Sequence, residues 1–289
     1  VNEEQQSPTP VAVSMVLGAI FSIQIGAAIA TGLFPDIGPA GVVFMRALVS
    51  AILLALIWRP TIDTVRENPR LLLLFGVALT GMNLAFFEAI DRIPLGTAVT
   101  LEFIGPLTVA LITSRRRRDW IWAGLAAAGI VLLTGGVSGE NLDPVGVVLA
   151  LVAGFFWGSY ILLGKRMGKA FAGGRGLAVA MVLSAIFTAP LGIAEGGSAL
   201  LEPEVLAIGI GVGILSSLIP FSLEIEAMRR LPSSVFGVMM SLEPAVAATV
   251  GLVILGQGVV PVEVLAILLV VAASAGALRS ARAPVPLEP

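Results

Sequence analysis

The chain has 289 residues, 57% of them hydrophobic and only 12% charged, with a formal net charge of −2, and its mean hydropathy is +1.01. A soluble domain carries roughly 25% charged residues, so this chain cannot cover a water-facing surface and is expected to face lipid. With no cysteine and no histidine, disulfides, thiolate chemistry, Cys/His metal sites and catalysis with histidine as base are excluded; no metal or cofactor is expected, and no basic domain is present to hold nucleic acid.

A membrane span needs about 20 mostly apolar residues. Ten segments of this kind follow in chain order: 11–34, 40–58, 71–90, 95–114, 120–133, 145–163, 177–193, 206–228, 235–255 and 262–278. Proline and glycine punctuate their ends; Pro35 is expected to stop the first, Pro60 the second, and Pro94 makes the tight link into the fourth. The opening residues VNEEQQSPTP are acidic, so the first apolar helix is expected to act as an uncleaved insertion signal. The expected fold is therefore an all-α polytopic membrane protein of ten transmembrane helices joined by short links.

Charge orients the spans. With the N-terminus in the cytoplasm, 15 of the 17 Lys and Arg residues fall in inner links or the C-terminal tail: Arg59, Arg66 and Arg70; the run 115–118; Lys165, Arg166, Lys169 and Arg175; Arg229 and Arg230; Arg279 and Arg282. Arg92 lies in an outer link and Arg46 within a helix, while Asp36, Asp91, Glu140, Asp143, Glu195, Glu202, Glu204 and Glu263 make the outer links acidic. This asymmetry predicts both termini in the cytoplasm.

The stretch Glu88-Ala89-Ile90-Asp91-Arg92-Ile93-Pro94 recurs as Glu226-Ala227-Met228-Arg229-Arg230-Leu231-Pro232, and Pro106 recurs as Pro244 at the same offset. The chain then reads as a cytoplasmic tail (1–10), a first five-helix repeat (11–138), a second (139–278) and a second tail (279–289). Five is odd, so the two halves would have opposite orientation in the membrane. Inverted repeats are a feature of secondary transporters, where a site between related halves opens to either side in turn.

Polar groups at membrane depth mark candidate site residues. Gln24, Asn83, Trp157, Tyr160 and Glu243 fall within about 10 Å of one depth at the helical rise of ~1.5 Å per residue, a belt suited to a small polar or zwitterionic substrate. Gln24 and Asn83 serve equally as hydrogen-bond glue between helices, and Trp157 and Tyr160 as packing. An unpaired Glu243 would be costly, which favours function. Arg46 and Glu102, nearer the outside, are expected as a structural ion pair or a gate. Glu224 and Glu226 lie near the inner end of their span, at least one of them in water. Pro106 and Pro244 each remove a backbone donor, freeing the carbonyls of Glu102 and Met240, so paired kinks are expected there.

Short motifs spread along the chain identify it as similar to the drug/metabolite transporter superfamily, EamA type, and within it to inner-membrane threonine/homoserine exporters. In the first half they are Ser22-Ile23-Gln24, Leu33-Phe34-Pro35, Gly81-Met82-Asn83, Ile93-Pro94-Leu95-Gly96, Leu101-Glu102-Phe103, Gly105-Pro106-Leu107 and Ser114-Arg115-Arg116. In the second they are Ile214-Leu215-Ser216-Ser217, Pro220-Phe221-Ser222-Leu223-Glu224, Phe236-Gly237 and Met240-Ser241-Leu242-Glu243-Pro244-Ala245. The resemblance implies export of amino acids by alternating access and a central cavity lined by the first, third, fourth, sixth, eighth and ninth spans. It also implies the proton as coupling ion. Small multidrug relatives carry an acid for protons in their first helix; here that helix has Gln24, so Glu102 and Glu243 become the proton-coupling candidates. Other readings are an exporter of another metabolite or drug, a membrane enzyme or a channel. Partners are then an amino-acid substrate and the bilayer, and a monomer is compatible with all of this.

Overall fold

A computed structural model describes residues 10–113, 120–134, 142–230 and 239–280. The basic run 115–118, the midpoint of the repeat near residue 140, Pro232, Phe236 and Gly237 of the expected motifs, and most of both tails lie outside the described residues. Among the described residues every regular element is helical: α1 (Pro10–Thr31), α2 (Phe34–Trp58), α3 (Ile62–Glu67), α4 (Pro69–Ile90), α5 (Leu95–Glu102), α6 (Ile104–Thr113), α7 (Trp120–Thr134), α8 (Pro144–Ala170), α9 (Arg175–Gly196), α10 (Pro203–Gly213), α11 (Ile219–Arg230), α12 (Glu243–Leu255) and α13 (Pro261–Ser280). A five-residue π segment, Ile214–Leu218, joins α10 to α11.

Among the described residues, six helices are long and apolar enough to cross a membrane: Pro10–Thr31, Phe34–Trp58, Pro69–Ile90, Pro144–Ala170, Arg175–Leu201 and Pro203–Glu224. Four shorter apolar helices accompany them: Leu95–Val109, Trp120–Leu132, Glu243–Leu255 and Pro261–Gly276. Their outward side chains are large and apolar, with Val253 75% and Phe155 69% exposed, the pattern of a surface solvated by lipid.

Proline acts differently from expectation at the first turn. Helix α1 ends at Thr31 without its help, and Pro35 sits in the first turn of α2 instead. Its missing N–H costs nothing there, because first-turn donors have no intrahelical acceptor. Helix α2 is interrupted at Gly38, whose φ of 66° only glycine adopts readily. Past that break the Glu195 carboxylate of α9 accepts from the backbone N–H of Ala40 at 2.9 Å, an N-cap supplied by another helix.

Glycine sets the tightest crossings. A methyl at Gly105 would collide with the carbonyl oxygen of Gly154, so α6 and α8 meet backbone to backbone. Gly96 of α5 abuts Ala248 of α12, Gly26 of α1 abuts Ser216, and Gly192 of α9 lies against the Phe44 side chain and the Ala40 carbonyl of α2. Without a hydrophobic driving force between helices in lipid, such close packing holds the bundle together.

Candidate functional site in the helix core

Helix α1 carries Gln24 into the interior, where it is buried, and α12 opens with Glu243, equally buried. The Gln24 amide Nε2 donates to Glu243 Oε1 at 3.3 Å. That polarity follows from chemistry, since a carboxylate only accepts. Gln24 Oε1 and Glu243 Oε2 are also buried, and neither is bonded to any described residue. Two buried acceptors are thus left without a donor while Glu243 is ionised, so a donor is needed from a ligand or from a proton on the carboxyl itself.

Glu243 reaches this place because the chain breaks just before it. Leu242 N–H returns to Met239, Ser241 and Leu242 form a turn, and Pro244 stands in the first turn of α12. The carboxylate therefore sits at a helix N-terminus, the positive end of the helix dipole. A matching break falls at Phe103 between α5 and α6, three residues before Pro106. The Glu102 carbonyl there lies against Gly154, where a methyl would come within 2.6 Å of it.

Arg46 does not pair with Glu102. Its Nη2 donates to the Ser216 carbonyl at 2.7 Å and to Ser217 Oγ at 3.0 Å, and its Nε donates to Ser217 Oγ at 3.2 Å. Its guanidinium also lies 5.0 Å from the centroid of Phe87, a cation–π contact. The cause is the π segment. Ile219 N–H reaches back five residues to Ile214, which deprives the Leu215 carbonyl of its usual donor, and Pro220 has no N–H to offer Ser216. Ser22 Oγ fills the first gap, donating to Leu215 O at 2.6 Å, and Arg46 fills the second. Glu102 remains within electrostatic reach of Arg46 and of Glu243, but it makes no ion pair with Arg46.

Tyr160 stacks on Phe75 with centroids 4.8 Å apart, and Trp157 meets Phe103 edge-on at 5.1 Å. Asn83 turns its Nδ2 onto the Leu79 carbonyl of its own helix at 2.7 Å, which leaves its oxygen as the free functional atom. Of Glu224 and Glu226, at least one of which is expected in water, Glu224 is half-buried and within electrostatic reach of both Glu243 and Tyr160. Its position four residues past Pro220, at the end of an apolar run, is the signal that could have found it. Gln24 and Glu243 are thus in contact, with Glu102 and Glu224 within electrostatic reach of Glu243, while Asn83, Trp157 and Tyr160 contact Leu79, Phe103 and Phe75. Among the described residues no group of three or more acidic side chains converges as a metal site.

These features belong to a multi-pass membrane transporter, and comparison with known proteins narrows the class. Residues 144–279 match the model of the EamA-like transporter family. The chain is 40% identical over 280 residues to the threonine/homoserine exporter RhtA of Escherichia coli (strain K12), covering 96% of this chain and 95% of that one. It is 41% identical over 277 residues to RhtA of Salmonella typhimurium, with 95% and 94% covered. An uncharacterized transporter of Bacillus subtilis, YwfM, is 28% identical over 198 residues, 66% of this chain and 67% of the other. A crystal structure with 19% identity superposes with a TM-score of 0.63 over 94% of this chain and 97% of that chain, a likeness of fold. The chain belongs to the EamA-like transporter family, and with that the enzyme reading falls away.

Proposed function

We propose that the protein exports amino acids, threonine and homoserine among them, from the cytoplasm across the inner membrane by alternating access. The observation that carries this is the buried Gln24–Glu243 pair with its two unbonded acceptor oxygens, in a chain whose near-full-length relatives are threonine/homoserine exporters. A substrate ammonium brings three N–H donors and a positive charge. Glu243 Oε2 and Gln24 Oε1 offer it two acceptors and a balancing negative charge. Asn83 meets the substrate's other polar end, and Trp157 and Tyr160 bound its side chain.

Coupling uses the same carboxylate. A proton entering on Glu243 cancels the charge that holds the ammonium, and the new O–H turns to Gln24 Oε1. Loss of that proton restores the binding form. Glu102, within electrostatic reach of Glu243, is the second proton carrier. Arg46 acts as a gate element by tying α2 to the π segment.

The architecture we infer for this cycle is ten spans, the six long helices plus the four shorter ones, in two inverted halves at 11–138 and 139–278, with tails 1–10 and 279–289 in the cytoplasm. The helix breaks at Phe103 and at Ser241–Leu242 support it, since they fall beside Pro106 and Pro244. Discontinuous helices in corresponding places of two halves are where such transporters bind and move.

Purified protein in proteoliposomes preloaded with a panel of labelled amino acids tests the substrate class. Threonine and homoserine are expected to leave faster than from protein-free vesicles, with large aromatic amino acids slowest. A flat efflux trace across the whole panel would overturn the reading.

A further inference from the structure

One end of the α4–α8 contact carries a cleft of about 480 Å³, lined by the cations Arg70, Arg166 and Lys169 beside Leu71, Leu74 and Leu163. A second cleft of about 380 Å³ adjoins it, sharing Leu74, Leu163 and Arg166 and adding Val77, Phe156 and Leu162. Helical spacing explains the shared wall. Arg70, Leu74 and Val77 follow one face of α4, and Phe156, Leu163 and Arg166 follow one face of α8. Because α4 begins at the basic end and α8 finishes there, both stripes run from cationic to apolar in the same direction. The groove is polar at one end and greasy along the rest.

Among the described residues no acidic side chain lines either cleft, and none of the three cations is in an ion pair. Leu74, Val77 and Leu162 are 55%, 43% and 41% exposed, so the apolar part is open from the side. Neither Gln24 nor Glu243 lines it, and it is a site separate from the one assigned to substrate. A free anion would use only the three cations; an occupant that matches the whole groove must combine an anionic head with a hydrocarbon chain.

We propose that this groove binds an anionic phospholipid, its phosphate against Arg70, Arg166 and Lys169 and an acyl chain along Leu74, Val77 and Phe156. Guanidinium groups bind phosphate oxygens in pairs, and basic pockets between membrane helices suit acidic lipid heads. A bound lipid would fasten α4 to α8, two helices that carry Asn83, Trp157 and Tyr160.

Native mass spectrometry of the full chain in neutral detergent tests this, with phosphatidylglycerol, phosphatidylethanolamine and inorganic phosphate as probes. Phosphatidylglycerol is expected to bind at least tenfold more tightly than phosphatidylethanolamine, and millimolar phosphate is expected not to displace it. The combined change Arg70→Gln, Arg166→Gln, Lys169→Gln should weaken lipid binding roughly tenfold to a hundredfold, while Arg70→Lys with Arg166→Lys keeps most of it. Val77→Trp fills the groove and should lower lipid binding with the cations intact, so it decides the matter even if the triple variant folds poorly. Wild-type lipid affinity in Val77→Trp or in a folded triple variant would overturn the proposal. So would equal binding of the two lipids, or full displacement by phosphate, which marks a simple anion site.

Discussion

Arg46 shows how a single buried side chain is spent when the backbone, and not another charge, presents the need. A positive charge and a negative charge at similar depth make an ion pair the natural expectation, and Arg46 with Glu102 met that description. The carbonyls freed by the π segment changed the balance, because an unbonded carbonyl in a low-dielectric interior costs about 1–3 kcal/mol. Nothing in the local sequence announces a π turn; only Pro220, in mid-span, hints that Ser216 lacks a donor. Thermal unfolding of detergent-solubilised protein should separate two variants. Arg46→Met strands Ser216 O and removes its bonds to Ser217, and should lower stability by about 1–3 kcal/mol. Glu102→Gln, which breaks no ion pair, should change it by less than about half of that. Equal losses in the two variants would mean that the pair exists after all. Gln24 and Glu243, by contrast, were legible as site candidates, because polar groups within an apolar run stand out at once. That they touch was not legible, since 219 positions separate them.

Elements were read more faithfully than their ends. Long apolar runs identify helices securely, since period and length both survive a few misplaced residues. The ends depend on single residues whose role changes with context. Pro35 opens a helix instead of closing one, and Gly38 breaks α2 where a cap from Glu195 restarts it. The short helix α3 was not anticipated, although Thr61 and Thr64 cap it reciprocally. Crossings are set by glycines, and sequence alone does not say which glycine faces a neighbour. Gly105 and Gly168 separate the two cases. Gly105→Ala drives a methyl into the Gly154 carbonyl and should cost about 1–3 kcal/mol. Gly168→Ala, in α8 with nothing within 4 Å, should leave stability unchanged or raise it by up to about 1 kcal/mol. Paired melting curves check both, and a neutral Gly105→Ala would show that α6 and α8 do not meet this closely.

At the scale of the molecule, composition alone pointed to the membrane, since a chain with 12% charged residues has too little polar surface to be solvated by water. The amino-acid substrate proposed above rests on the likeness to threonine/homoserine exporters; no feature of hydropathy or charge names an amino acid. What the fold adds is a broken helix that delivers a carboxylate to the core, an amide that meets it, and two acceptor atoms without a bonded donor. The most direct measurement is threonine efflux from proteoliposomes, with and without an imposed pH gradient, for the wild type and Glu243→Gln. The wild type should export threonine faster when protons run down their gradient into the vesicle as the substrate leaves. Glu243→Gln should transport at least about tenfold more slowly, the loss of a charge-assisted hydrogen bond, and should ignore the gradient. A Glu243→Gln protein that transports at the wild-type rate and still responds to the gradient would contradict the account.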